Sequence, residues 1–329
     1  MDFIFTFLYL RLIPKRFDCM AIIRWIEGNF WAFLLFAMLF GVIVPLPTDY
    51  LLPLLKPELM LTLLLVFLKI DVISVLDRIR DYRLMAYLAF SFLILSPLVF
   101  FGLFSLWDAE LAIGVLLLMS VPAGTSAPVL TDILRGNAAL AMSLTIVTSL
   151  LAPFTIPLLF HFLVEQDIAV NHVQLFWDLA SMIFVPMLAS VVLKRTVPRF
   201  IKRVSPSFTA INIILLFLIV TSSFGSQRTM LLNNPVGLLE NILWMYFLSL
   251  LVHAFSFLLA LGRPKEDRIA IIVERSYMNN GLAVVLAATS FPPSILILMV
   301  LSEIPWSTTL MPLRWFLRKL GWYEAREIS

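Results

Sequence analysis

The chain has 329 residues, 61% of them hydrophobic and only 14% charged, with a mean hydropathy of +0.99. Soluble domains carry roughly 25% charged residues, so no water-soluble fold could bury this much apolar surface. The net charge of +3 gives little reason to expect a nucleic-acid partner, and the single cysteine, Cys19, excludes an internal disulfide and a cysteine-rich metal site.

Within the first twenty residues, MDFIFTFLYL has no leading positive charge and RLIPKRF follows it, so the stretch makes a poor signal peptide. It reads as an interfacial helix, or as a leader that is absent if translation starts at Met20 rather than Met1. Beyond it the chain alternates apolar runs with short polar turns. A helix needs about 20 apolar residues to cross a bilayer, fewer where it is short or broken. Ten stretches qualify, at 29–46, 52–69, 84–105, 110–134, 137–163, 173–193, 207–224, 236–262, 267–289 and 292–314. With ten spans, all of the 24 lysines and arginines except Lys56, Arg228 and Arg275 fall on one side of the membrane. The positive-inside rule then places both termini in the cytoplasm, as expected for a cytoplasmic (inner) membrane protein in direct contact with the lipid bilayer. Tryptophans near the ends, Trp25, Trp31, Trp315 and Trp322, read as interface anchors.

Two spans are interrupted. The fourth carries Pro122-Ala123-Gly124-Thr125, and the ninth carries Glu274 to Leu282, reading ERSYMNNGL. Proline, glycine and asparagine all disfavour a continued helix, and a charge at that depth costs several kcal/mol unless paired or hydrated. A broken helix frees backbone groups that hydrocarbon cannot satisfy but a lined cavity or a ligand can. Ten spans divide into five plus five, and an odd repeat length inverts the second half relative to the first. The breaks fall at corresponding places in the two halves, which is the best sequence pointer to a transporter's binding site. The expected organisation is therefore all-α and integral to the membrane: an N-terminal segment 1–28, a first five-helix repeat 29–163, a second inverted repeat 173–314 and a cytoplasmic tail 315–329. No nucleophile elbow, zincin motif or phosphate-binding loop is present, and no enzyme is expected.

These residues carry a family resemblance. The stretch from Val121, VPAGTSAPVLTDILRGNAALAMSLTIVTSLLAP, resembles the fourth and fifth spans of the bile acid:sodium symporter family, where P-G-G-T-x-S-N is followed by R-G-N-x-A-L. ERSYMNNGL resembles that family's E-x-G-x-Q-N-x-G-L, and FLILSP, ending at Pro97, fits its third span. The resemblance implies a core with crossed, broken helices four and nine, and a smaller panel built from spans one, two, six and seven. It implies transport of a small organic anion through the crevice between them, coupled to sodium bound behind the crossing. On the matching positions, Thr125, Ser126, Asn279, Asn280 and Gly281 are the substrate-facing candidates. Glu274 and Thr145 match sodium ligands. The half-helix N-termini at the breaks offer N–H groups to a carboxylate.

The chain also departs from that pattern. Ala127-Pro128 stands for the Ser-Asn pair, Ala141 for a fifth-span serine, Met278 for the glutamine of the second signature and Phe92 for a third-span glutamine. A hard cation takes about six oxygens, and these side chains supply none, so ordinary two-sodium coupling is not expected and no other cofactor or metal is. Arg275 and Glu303 lie about 10 and 13 Å into the membrane from the same side by helical rise, which suggests an ion pair between neighbouring spans. Proton coupling through Glu274, aided by Arg275 and Glu303, is the functional alternative to a fixed internal cation. A membrane sensor or scaffold that keeps the fold without transporting is the reading of a different class.

Overall fold

A computed structural model describes residues 30–70, 75, 81–164 and 171–322. The expected N-terminal segment, with Trp25, and the last seven residues lie outside them. Each apolar stretch picked out in the sequence is mainly helical where described. The helices are α1 (Phe30–Ile43), α2 (Thr48–Lys69), α3 (Tyr82–Phe104), α4 (Ala109–Ser120), α5 (Ala127–Ile133), α6 (Ala138–Leu163) and α7 (His172–Thr196). They continue with α8 (Pro198–Ser226), α9 (Arg228–Asn233), α10 (Pro235–Leu259), α11 (Lys265–Ser276), α12 (Asn280–Ser290) and α13 (Pro293–Lys319). Seven are long and apolar enough to cross a membrane, and there is no β-sheet among the described residues. The fourth and ninth expected spans are each two shorter helices, α4 with α5 and α11 with α12, separated by extended backbone.

Helix starts follow a simple chemistry. Asp81, Asp108, Asn137, Asn171, Asn234 and Asn279 each turn a side-chain oxygen onto the backbone N–H three residues on. Each thereby satisfies one of the N–H groups that a helix start leaves without an intrahelical partner. Between caps most of the long helices are apolar on all faces, as membrane spans are, whereas α11 and the last ten residues of α13 are amphipathic. Leu39, Phe162, Leu188 and Leu250 point outward as freely as core residues point inward.

Packing joins α1 along α8, and α2 against both α7 and α8. Elsewhere α3 packs on α4, α10 on α11 and α13, and α12 on α13. The α1–α8 contact is close because it is built on glycine. A Cβ on Gly41 would lie 2.4 Å from the Thr221 carbonyl oxygen, and Gly225 faces it from α8. Thr221 Oγ1 donates to the Ala37 carbonyl at 3.2 Å, a hydrogen bond between spans that needs this approach. Gly41→Ala gains helix propensity of about 1 kcal/mol. The overlap with backbone costs more, about 1–3 kcal/mol, so a lower melting midpoint in detergent is expected; a midpoint at or above the wild type would contradict this packing.

One local irregularity positions the site. In α3, residues Ser91–Leu95 form a π-helical turn just before Pro97. A proline ring clashes with the carbonyl four residues back, and the wider turn relieves that crowding. Phe92 sits in this turn, fully buried.

Candidate functional site: the crossing of two broken helices

Pro122 has no N–H and disfavours helical geometry at the residue before it, so α4 stops at Ser120 and Val121 is extended (φ −66°, ψ 149°). At the second break α11 ends at Ser276, and Tyr277 leaves the helical region (φ −113°, ψ 65°). The two extended segments run antiparallel and meet at Ala123 and Met278. The Gly124 N–H donates to the Tyr277 carbonyl at 3.0 Å, and the Asn279 N–H to the Pro122 carbonyl at 2.9 Å. Each break thus satisfies the backbone groups the other exposes, which the apolar interior requires. The approach demands glycine, since a Cβ on Gly124 would lie 2.5 Å from the Tyr277 oxygen and 3.1 Å from the Met278 oxygen.

Neighbouring helices complete the accounting. Thr148 Oγ1, on α6, accepts the Ala123 N–H at 3.3 Å, and Trp306 Nε1 donates to the Met278 carbonyl at 3.2 Å. One turn before Thr148, the buried Thr145 hydroxyl donates to Glu274 Oε2 at 2.9 Å. Glu274 is fully buried, and its other oxygen, Oε1, has no partner. The two residues matched to the family's ion ligands are therefore in contact. At the base of the crossing α6 and α11 are tied again: the Asn137 N–H donates to the Glu266 carbonyl (2.9 Å) and Asn137 Nδ2 to Asp267 Oδ1 (2.7 Å).

The substrate-facing candidates divide into two groups. Thr125 and Ser126 are half-buried beside the bridge, and neither hydroxyl is engaged by another described residue. Gly281 is also half-buried, with only Asn279 Oδ1 and Leu59 Cδ1 near a Cβ placed on it, at 3.7 Å. Asn279 caps α12 through Oδ1, which accepts the Leu282 N–H at 3.1 Å. Asn280 turns away, donating from Nδ2 to Ser302 Oγ at 3.2 Å while its Oδ1 stays buried without a partner. It lines a small cavity of about 30 Å³ that also touches Ser276, Met278 and Trp306. Asn279→Ala removes a cap inside the core, and a loss at the upper end of about 0.5–2 kcal/mol is expected. Asn279→Ser, which keeps a capping oxygen, should recover most of the melting midpoint; equal midpoints for the two variants would rule out capping as its structural role.

The expected Arg275–Glu303 ion pair does not form: no salt bridge joins them among the described residues. Rise along a helix gives depth, but side-chain direction depends on rotation about the axis. Arg275 turns to α4 and α3, where Nη2 donates to the Met119 carbonyl at 3.0 Å and the guanidinium carbon lies 5.8 Å from the Phe92 ring centre. Glu303 is buried on α13, next to the Ser302 that meets Asn280.

Comparison with known proteins decides what this crossing belongs to. Residues 28–308 match the SBF-like CPA transporter family. The chain belongs to that family. Membership agrees with a membrane-embedded, multi-pass chain, as the seven long apolar helices indicate, and with the resemblance to bile acid:sodium symporters. The chain is 31% identical to a protein of Bacillus subtilis named uncharacterized sodium-dependent transporter YocS, over 60% of this chain and 62% of that one. It is 25% identical to the rice protein named probable sodium/metabolite cotransporter BASS1, chloroplastic, over 55% of this chain and 44% of that one. A Pseudomonas aeruginosa protein, PA2026, is 28% identical over 64% of each chain. The chain thus spans less than two thirds of the length of these relatives. Within this SBF-like chain, Thr148, Trp306 and Ser302 are site residues that sequence reasoning missed. Thr148 alone left a signal, one helical turn after Thr145 on the same face.

Proposed function

We propose that this SBF-like protein is a secondary active transporter of a small organic anion. In this reading ten spans form two inverted five-helix repeats, 29–163 and 173–314, whose broken fourth and ninth members hold the substrate where they cross. The chain sits in a cytoplasmic membrane with both termini inside. The observation that carries the reading is the mutual backbone pairing of the two breaks, Gly124 to Tyr277 and Asn279 to Pro122. It fixes the unengaged hydroxyls of Thr125 and Ser126 at the start of α5, while the second break opens into the N-terminus of α12, whose partial positive charge favours a carboxylate.

Coupling runs through Glu274. Its contact with Thr145 keeps a carboxylate beside the crossing on which a proton or a cation can act, and relatives are named as sodium-dependent or sodium/metabolite transporters. Alanine, proline, methionine and phenylalanine at 127, 128, 141, 278 and 92 provide no side-chain oxygen, which favours a proton, or at most one cation, over two sodium ions. The test is uptake of a panel of labelled organic acids into proteoliposomes, with sodium and proton gradients imposed separately. Accumulation of one acid class that collapses when the driving gradient is dissipated is the expected result. Specific binding without accumulation under any gradient would overturn the transport reading.

A further inference from the structure

Arg275 is 1% exposed, and among the described residues it forms no salt bridge with a carboxylate. Every group it does meet is neutral and electron-rich. Nη2 donates to the Met119 carbonyl at 3.0 Å and lies 2.9 Å from the Met119 sulfur, and the Phe92 ring faces the guanidinium. Nε has no partner.

The Met119 carbonyl is a particular kind of acceptor. In an unbroken helix it would receive the Ala123 N–H, but that donor has turned to Thr148. The carbonyl belongs to the last turn of α4, and Arg275 itself stands in the last turn of α11. The guanidinium therefore meets the C-terminal end of α4 and is carried by the C-terminal turn of α11. Each of these helix ends carries about −0.5 of an elementary charge, so the pair comes close to balancing one monovalent cation. Glu274, the adjacent residue, points the other way, to Thr145.

We propose that Arg275 is a built-in monovalent cation, placed where the two half-helix C-termini would otherwise call for an inorganic ion. This end of the crossing then needs no bound sodium or potassium, whichever ion acts at Glu274. The inference goes beyond the transport reading, because it concerns how the broken helices are held together whether or not anything is carried.

The test is the melting midpoint of the purified full-length protein in detergent, in choline chloride and, at equal ionic strength, in sodium or potassium chloride or with millimolar methylguanidinium added. Arg275→Ala should melt several degrees below the wild type in choline. Sodium, potassium or methylguanidinium should raise its midpoint by clearly more than they raise that of the wild type. Arg275→Lys, which keeps the charge, should melt above Arg275→Met, which keeps the chain length and apolar contacts. A midpoint for Arg275→Met at or above that of Arg275→Lys would overturn the proposal, as would an Arg275→Ala deficit that is the same in every salt. If Arg275→Ala does not fold, the lysine and methionine variants decide alone. None of these measurements requires uptake, so they support or overturn the built-in cation even in a protein that accumulates no organic acid.

Discussion

Gly124→Ala is expected to abolish uptake. The added Cβ would sit 2.5 Å from the Tyr277 carbonyl oxygen, a contact that only backbone movement can relieve. Moving the segments apart breaks the Gly124–Tyr277 and Asn279–Pro122 hydrogen bonds together. A peptide group left without a partner in an apolar interior costs about 2–7 kcal/mol, which far exceeds any gain in helix propensity. The variant should therefore either fail to accumulate in the membrane or accumulate with uptake at background. Gly102 supplies the control, since a Cβ there meets nothing within 4 Å. Gly102→Ala should transport as the wild type does, and comparable activity in both variants would remove the crossing from the mechanism.

Glu274→Gln is expected to separate stability from coupling. The glutamine carbonyl can still accept the Thr145 hydroxyl, so the tie between α6 and α11 survives. It also replaces a fully buried carboxyl, one of whose oxygens has no partner, by a neutral group that is less costly to bury. The melting midpoint should be equal to or above the wild type. Uptake driven by a pH gradient should fall to background, because an amide cannot carry the proton. Full pH-driven uptake in this variant would show that Glu274 is not the coupling group. Thr145→Val provides the complementary measurement: it removes the hydrogen bond and keeps the carboxyl, and a shifted pH profile rather than a loss is expected.

The broken spans were legible in sequence because their causes are local. Pro122 and Gly124, and later Asn279-Asn280-Gly281, oppose helix continuation whatever surrounds them. The caps at Asp81, Asp108 and Asn137 have equally local causes but were not singled out in sequence, whereas the apolar runs between them leave little but helix in a membrane. What could not be read was direction. Arg275 and Glu303 share a depth, yet Arg275 faces Met119 and Phe92, because rotation about each helix is set by packing that one chain's spacing does not encode. Asn280 presents the same lesson. It lies within the signature but points to Ser302, on a helix that sequence analysis treated only as the carrier of Glu303.

The mutual pairing of the two breaks also constrains how the protein is made. The ribosome delivers Pro122 and Gly124 to the membrane long before it has synthesised Tyr277 and Asn279. During that interval the N–H of Gly124 and the carbonyl of Pro122 lack the partners that later complete them. The first half of the chain must therefore wait with its central span either hydrated or shielded by the insertion machinery. Nascent chains halted before Tyr277 should expose the first break to water-soluble labelling reagents at a cysteine introduced for Ala123, and chains extended past Leu282 should protect it.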